Sequence, residues 1–153
     1  MHIELKARMF RKILVPTDGS ALSEKAITAA VNIASACGAK IIGMTVAQPY
    51  LSSPLELTDK VSASISHTEK ALAAARQNVQ KVEESAKAAG VECEIVITES
   101  FSPSAEIIEA AKRLRCDAIF MGSHWRKGLS KLFLGSETQE VLSRSDKPVM
   151  VFR

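Results

Sequence analysis

The chain has no apolar run approaching the ~18 residues of a membrane span, and its start carries no apolar stretch of the signal-peptide kind. No membrane partner is expected. An excess of one charge is lacking too. Twenty Lys and Arg stand against 17 Asp and Glu, a net +3, too small to mark a nucleic-acid surface, so no nucleic-acid partner is expected either. Cysteine is scarce, and Cys37, Cys93 and Cys116 are an odd number without metal-type spacing. Each sits in or beside an apolar segment, which predicts reduced, buried thiols and a cytoplasmic protein. Internal repeats and low-complexity tracts are absent. So are the Gly-x-x-x-x-Gly-Lys-Ser/Thr loop of P-loop ATPases and the Gly-x-Ser-x-Gly elbow of serine hydrolases. No positioned nucleophile, base or metal cluster emerges, so no catalytic residue and no metal site are assigned.

What is present is the composition of a globular chain. Its 153 residues are 46% hydrophobic and 24% charged, enough for one domain with a sizeable core. Residues 1–9 read as a loose leader and residues 10–153 as the domain. Lys12–Pro16 is a continuous apolar run, as a strand covered on both faces requires. Thr17-Asp18-Gly19-Ser20 ends it, and Ser20 is a natural N-cap. Leu22, Ala26, Ala29, Ala30 and Ile33 then recur at helical spacing up to Gly38. A second strand is predicted over Lys40–Ala47, an irregular connection over Gln48–Ser66, and a helix from His67 to Ala89 stopped by Gly90. That helix carries a weakly apolar face of Leu72, Val79, Val82 and Ala86. The third strand is Glu92–Thr98. Ser102-Pro103 opens a helix with Ile107, Ile108, Ala111 and Leu114 inward. Asp117–Met121, a short helix over Ser136–Ser145 and the strand Pro148–Phe152 complete the chain.

Strands alternating with helices require right-handed crossovers and a parallel sheet between helical layers. The expected fold is α/β: an open five-stranded parallel sheet of order 3-2-1-4-5 with helices on both faces, Rossmann-like. Ligands of such sheets bind beyond the carboxyl ends of the strands, where the strand order reverses. Two glycine-bearing strand ends, Thr17–Ser20 and Met121-Gly122, would then face one crevice. From Gly122 a polar, basic loop with Arg126, Lys127 and Lys131 leads to Gly135-Ser136 at the start of a helix. Glycine lets backbone approach an anion closely, and the first N–H groups of a helix have no internal acceptors, so a phosphate cradle is chemically reasonable there.

Taken together, KILVPTDGS, the TVAQP after the second strand, SHWRKGLSKLFLGS and the closing KPVMVFR resemble the universal stress protein family, over Lys12–Arg153. The ATP-binding branch of that family carries Gly-x-x-Gly, nine residues, then Gly-Ser or Gly-Thr. Here Gly122 is followed by Ser123, His124 and Trp125, nine further residues, then Gly135-Ser136, so the spacing is kept while Trp125 replaces the second glycine. The resemblance implies ATP, with or without Mg2+, and a fold like that of the adenine nucleotide alpha hydrolases. It implies Asp18 on the ribose hydroxyls and Pro16 and Val46 along the adenine. Met121 and Gly122 begin the phosphate side, and Gly135, Ser136 and Thr138 complete it. His124 and Trp125 fall in the same loop, and Trp125 is expected to weaken ATP binding relative to glycine. The resemblance further implies a regulatory stress-response protein with at most weak ATP hydrolysis, and a homodimer built through Val149 and Val151 of the last strand. A dimeric interaction module that binds no nucleotide stays open beside it.

Overall fold

A computed structural model of the chain describes residues 9–51, 60–123 and 134–153, the side chains of residues 60 and 61 excepted. The leader residues 1–8, and His124, Trp125, Arg126, Lys127 and Lys131, lie outside the described residues. Nine elements follow in order: β1 (Lys12–Pro16), α1 (Ala21–Cys37), β2 (Lys40–Ala47), α2 (Lys60–Ala88), β3 (Cys93–Glu99), α3 (Pro103–Arg113), β4 (Ala118–Gly122), α4 (Ser136–Arg144) and β5 (Val149–Phe152). The five strands form one parallel sheet of order β3-β2-β1-β4-β5, as expected.

Two cores result, one on each face. Ile13, Val15, Ile41 and Phe120 point to α1 and α2, where they meet Ile27, Val31, Val82 and Ala86. Leu14, Ile42, Met44, Ile119 and Met121 point the other way, to Ile107, Ile108 and Ala111 of α3 and Val141 of α4. The alternation is the period-two direction of strand side chains. It is also why β1, β2 and β4 are apolar nearly throughout.

The differences from expectation are instructive. On α1 the buried stripe is Ser23, Ala26, Ile27, Ala30, Val31 and Ala34, while Leu22, Ala29 and Ile33 sit half-buried at its border. The stripe is rotated toward Ile27 and Val31, and the Ser23 hydroxyl, buried on the same side, donates to Asp18 at 2.7 Å. The helix α2 starts at Lys60, seven residues before the expected His67, shortening the irregular connection. Once a helix is nucleated each added residue gains a hydrogen bond. The serines and alanines of that turn-rich-looking stretch are acceptable there even though Ile65 is 55% exposed. Leu72 on the expected face of α2 is only half-buried, and Ala75 joins Val79, Val82 and Ala86 as the buried residues of that face.

Ser102 holds the N-cap position of α3 but makes no side-chain cap. A carboxylate from another helix replaces it: Glu137 of α4 accepts the Ser104 N–H at 2.6 Å, and Glu140 accepts the Ser104 hydroxyl at 2.5 Å. Strand β4 begins one residue later than expected because the Asp117 carboxylate turns to accept the main-chain N–H groups of Arg11 and Lys12. Of the cysteines, Cys116 is buried and Cys37 and Cys93 are half-buried, all three as free thiols. Burial pushes the Cys116 thiol up to about 11 and that of Cys93 upward as well, so both stay protonated near neutrality and are poor nucleophiles.

Candidate functional site

The site begins where β1 leaves the sheet. Thr17 is fully buried; its N–H donates to Met44 O at 2.8 Å and its carbonyl accepts the Thr45 hydroxyl at 2.7 Å. These two bonds tie the end of β1 to β2 and aim the next residue out of the sheet. That residue is Asp18, half-buried. Its Oδ1 accepts the Ser20 N–H at 3.0 Å and the Ser23 hydroxyl at 2.7 Å. The first bond is an Asx-turn, the local arrangement in which a short carboxylate substitutes for a backbone acceptor. Ser20 in turn accepts the Ser23 N–H at 3.2 Å as the N-cap of α1. Between them Gly19 has φ of +79°, and a Cβ there would come 2.4 Å from Asn78 Oδ1 on α2. The left-handed backbone is what requires glycine, since the tip of the Asn78 side chain could swing aside from a Cβ.

The second wall comes from β4. Met121 is fully buried among the side chains facing α3 and α4. Gly122 is the last residue of β4 rather than a stop after it. A Cβ on Gly122 would lie 3.0 Å from the Leu22 carbonyl carbon and 3.1 Å from Ser23 N. The end of β4 therefore rests directly against the first turn of α1, and the two glycine-bearing strand ends meet as strand order demanded.

The loop that leaves β4 is closed at its base. Ser123 N–H donates to Phe152 O at 2.7 Å, Gly135 N–H donates to Ser123 O at 2.8 Å, and the buried Thr138 hydroxyl donates to Gly122 O at 3.1 Å. These bonds set the start of α4 beside the end of β4. They also occupy two donors that the resemblance assigned to phosphate, the Gly135 N–H and the Thr138 hydroxyl. Ser136, first residue of α4 and exposed, is the nearest position whose main-chain N–H has no acceptor among the described residues. Helix polarity adds partial positive charge at that point.

Pro16 and Val46 are buried at the carboxyl ends of β1 and β2, and the Val46 side chain belongs to the core facing α3 and α4. Only their backbones and outermost atoms can border a ligand. The structure thus brings Pro16, Asp18, Val46, Met121, Gly122, Gly135, Ser136 and Thr138 to one end of the sheet. His124 and Trp125 lie outside the described residues. Sequence reasoning missed Thr17, Ser23 and Thr45, whose hydroxyls shape the Asp18 turn. The signal available was the spacing Asp18–Ser20–Ser23, a carboxylate followed by a cap and a second hydroxyl three residues on. Asn78 gave no such signal, because it lies on α2, far along the chain from the Gly19 turn that its side chain faces.

Comparison with known proteins agrees with this architecture. Residues 9–153 match the model of the universal stress protein family. The chain is 30% identical over 149 residues to the universal stress protein YxiE of Bacillus subtilis, covering 95% of this chain and all of that one. Among solved structures it is similar to the protein MJ0577 of Methanocaldococcus jannaschii, with a TM-score of 0.78 and 26% identity over 94% of this chain and 96% of that one. It is also similar to a universal stress protein determined in complex with cAMP, with a TM-score of 0.67 and 25% identity over 94% and 97% of the two chains.

Proposed function

The chain belongs to the universal stress protein family, and from that premise we propose that it binds an adenine nucleotide, ATP with or without Mg2+, at the carboxyl end of its sheet. In this reading it is a regulatory protein of the stress response without efficient turnover. The observation that carries the reading is the packing of Gly122 against Leu22 and Ser23. It sets the carboxylate turn after β1 beside the glycine end of β4, to which the Thr138 hydroxyl ties the start of α4, and this grouping supports the reading because ribose hydroxyls and a phosphate need such chemistry. The relative bound to cAMP supports the same class of ligand. Asp18 would meet the ribose, the ends of β1 and β2 at Pro16 and Val46 the base, and Gly122 with the start of α4 the phosphates.

The test is calorimetric titration of the purified protein with ATP, with mass analysis for co-purified nucleotide. Binding with one site per chain is expected. A protein that takes up no adenine nucleotide by either measure would overturn the proposal and leave the interaction-module reading.

Asp18→Ala separates the two duties of that carboxylate. Charge-assisted hydrogen bonds contribute roughly 1.5–3 kcal/mol, so affinity for ATP is expected to fall by about tenfold or more. The Asx-turn and the Ser23 bond are lost as well. The unliganded protein should therefore lose about 1–2 kcal/mol of stability, the usual cost of a missing cap. Unchanged affinity in the variant would remove Asp18 from the site.

We also propose a homodimer through β5. Among the described residues that strand pairs with β4 alone, and its other edge presents main-chain groups that a second chain can use. Val149 and Val151 are half-buried and Met150 is 42% exposed along it. Val151→Lys is expected to give monomers in sedimentation at micromolar concentration. A monomeric wild type under those conditions would rule the dimer out.

A further inference from the structure

This inference rests on the nucleotide reading of the crevice and concerns what recognises the base. Among the described residues, one buried side-chain polar atom has no hydrogen-bond partner: the hydroxyl of Thr98. Thr98 is the last residue but one of β3, and in register it stands beside Val46 of β2. Residues paired in register point to the same face of a sheet. Val46 faces α3 and α4, and so does Thr98.

The start of α4 lies on that face too. A nucleotide with its phosphate at the start of α4 and its base at Val46 crosses from β4 over β1 to β2. Strands are spaced by about 4.8 Å, so the next side chain along that line, at the same height and on the same face, is Thr98. A threonine hydroxyl donates one hydrogen bond and accepts two. That suits the edge of a purine, where ring nitrogens alternate with an amino or oxo group. Valine would fill the same volume without burying an unpaired polar atom, and such atoms are rare in folded proteins and ask for an explanation.

We infer that Thr98 is a base-reading residue of the crevice, its hydroxyl bonding the edge of a bound purine beside Val46. The hydroxyl is unpaired in the free protein because its partner arrives with the ligand. The residue acts on specificity and not on any chemical step.

The experiment compares wild type, Thr98→Val and Thr98→Ser by calorimetric titration with ATP, and by thermal unfolding without ligand. Thr98→Val is expected to bind ATP about tenfold more weakly, with an unliganded melting temperature equal to wild type or higher. An apolar group of the same shape removes an unpaired polar one at little structural cost. Thr98→Ser is expected to keep wild-type affinity within about twofold. Wild-type affinity in Thr98→Val would overturn the inference and leave the nucleotide reading standing. A lowered unliganded melting temperature in Thr98→Val would make the hydroxyl a structural group and also overturn it. A wild type that binds no ATP would bring down the nucleotide reading itself, and this one with it.

Discussion

Gly122→Val is expected to destabilise the protein by about 3 kcal/mol and to abolish nucleotide binding. The cause is space, since valine is otherwise a favourable strand residue. A Cβ at this position lies 3.0–3.1 Å from the Leu22 carbonyl carbon, the Leu22 Cβ and the Ser23 main-chain nitrogen. Two of these atoms are backbone of the first turn of α1, and they cannot swing aside as a side-chain tip would. Overpacking a close contact costs typically 1–3 kcal/mol, and a β-branched residue belongs at the upper end because its methyl groups extend the clash. Relief requires α1 to move away from β4. That movement shifts the first turn of α1, whose Ser23 hydroxyl donates to Asp18, and so disturbs the carboxylate turn on which the ribose contact rests. Chemical denaturation should show a lower midpoint with an unchanged slope, and calorimetry should show no ATP uptake. A variant as stable as wild type would mean that the first turn of α1 is not fixed by this contact.

Phe120→Ala is expected to cost more, about 3–5 kcal/mol, the range for removing a buried aromatic ring. Phe120 is 1% exposed and is among the largest fully buried side chains. Its ring meets Phe10 edge-on at 5.9 Å between centroids and Phe152 at 5.9 Å in a tilted arrangement. The three rings link the residues before β1, the strand beside the crevice and the outermost strand β5. For a chain of this length each kcal/mol shifts the melting temperature by about 2–4 °C. A fall of roughly 6–20 °C is therefore expected in thermal unfolding. Because Phe152 loses its support, the end of β5 should also become more accessible to limited proteolysis than in wild type. A shift below about 3 °C would mean that the surrounding side chains collapse into the space, and that the aromatic cluster is not what holds β5.

The ordering of strands and helices was open to reading from the chain because it rests on local physics. Continuous apolar runs at Lys12–Pro16 and Lys40–Ala47 are too short for a typical helix and suit strands buried on both faces. Gly38 and Gly90, at φ of +73° and +68°, end their helices where the sequence placed the stops. Right-handed crossovers limit the topologies that such a pattern can adopt, and with strand order came the end of the sheet at which Asp18 and Gly122 meet. What local physics could not supply was the direction and availability of particular groups. Whether a donor near Gly135 is free depends on Ser123 O, which reaches it across the base of the loop. The cap of α3 comes from Glu137, a residue more than thirty positions away, so Ser102 carried a signal that its own side chain does not fulfil. The α1 stripe turns on Ile27 and Val31 in place of Leu22 and Ile33, an alternative that the same helical period allows and that brings the Ser23 hydroxyl to Asp18. The Thr98 hydroxyl is a plain strand residue in sequence and becomes an unpaired buried group only once β2 and the core facing α3 and α4 surround it. Periodicity and turn chemistry are properties of neighbours along the chain. Hydrogen-bond satisfaction and free space are properties of neighbours across it, and only the folded arrangement brings those together.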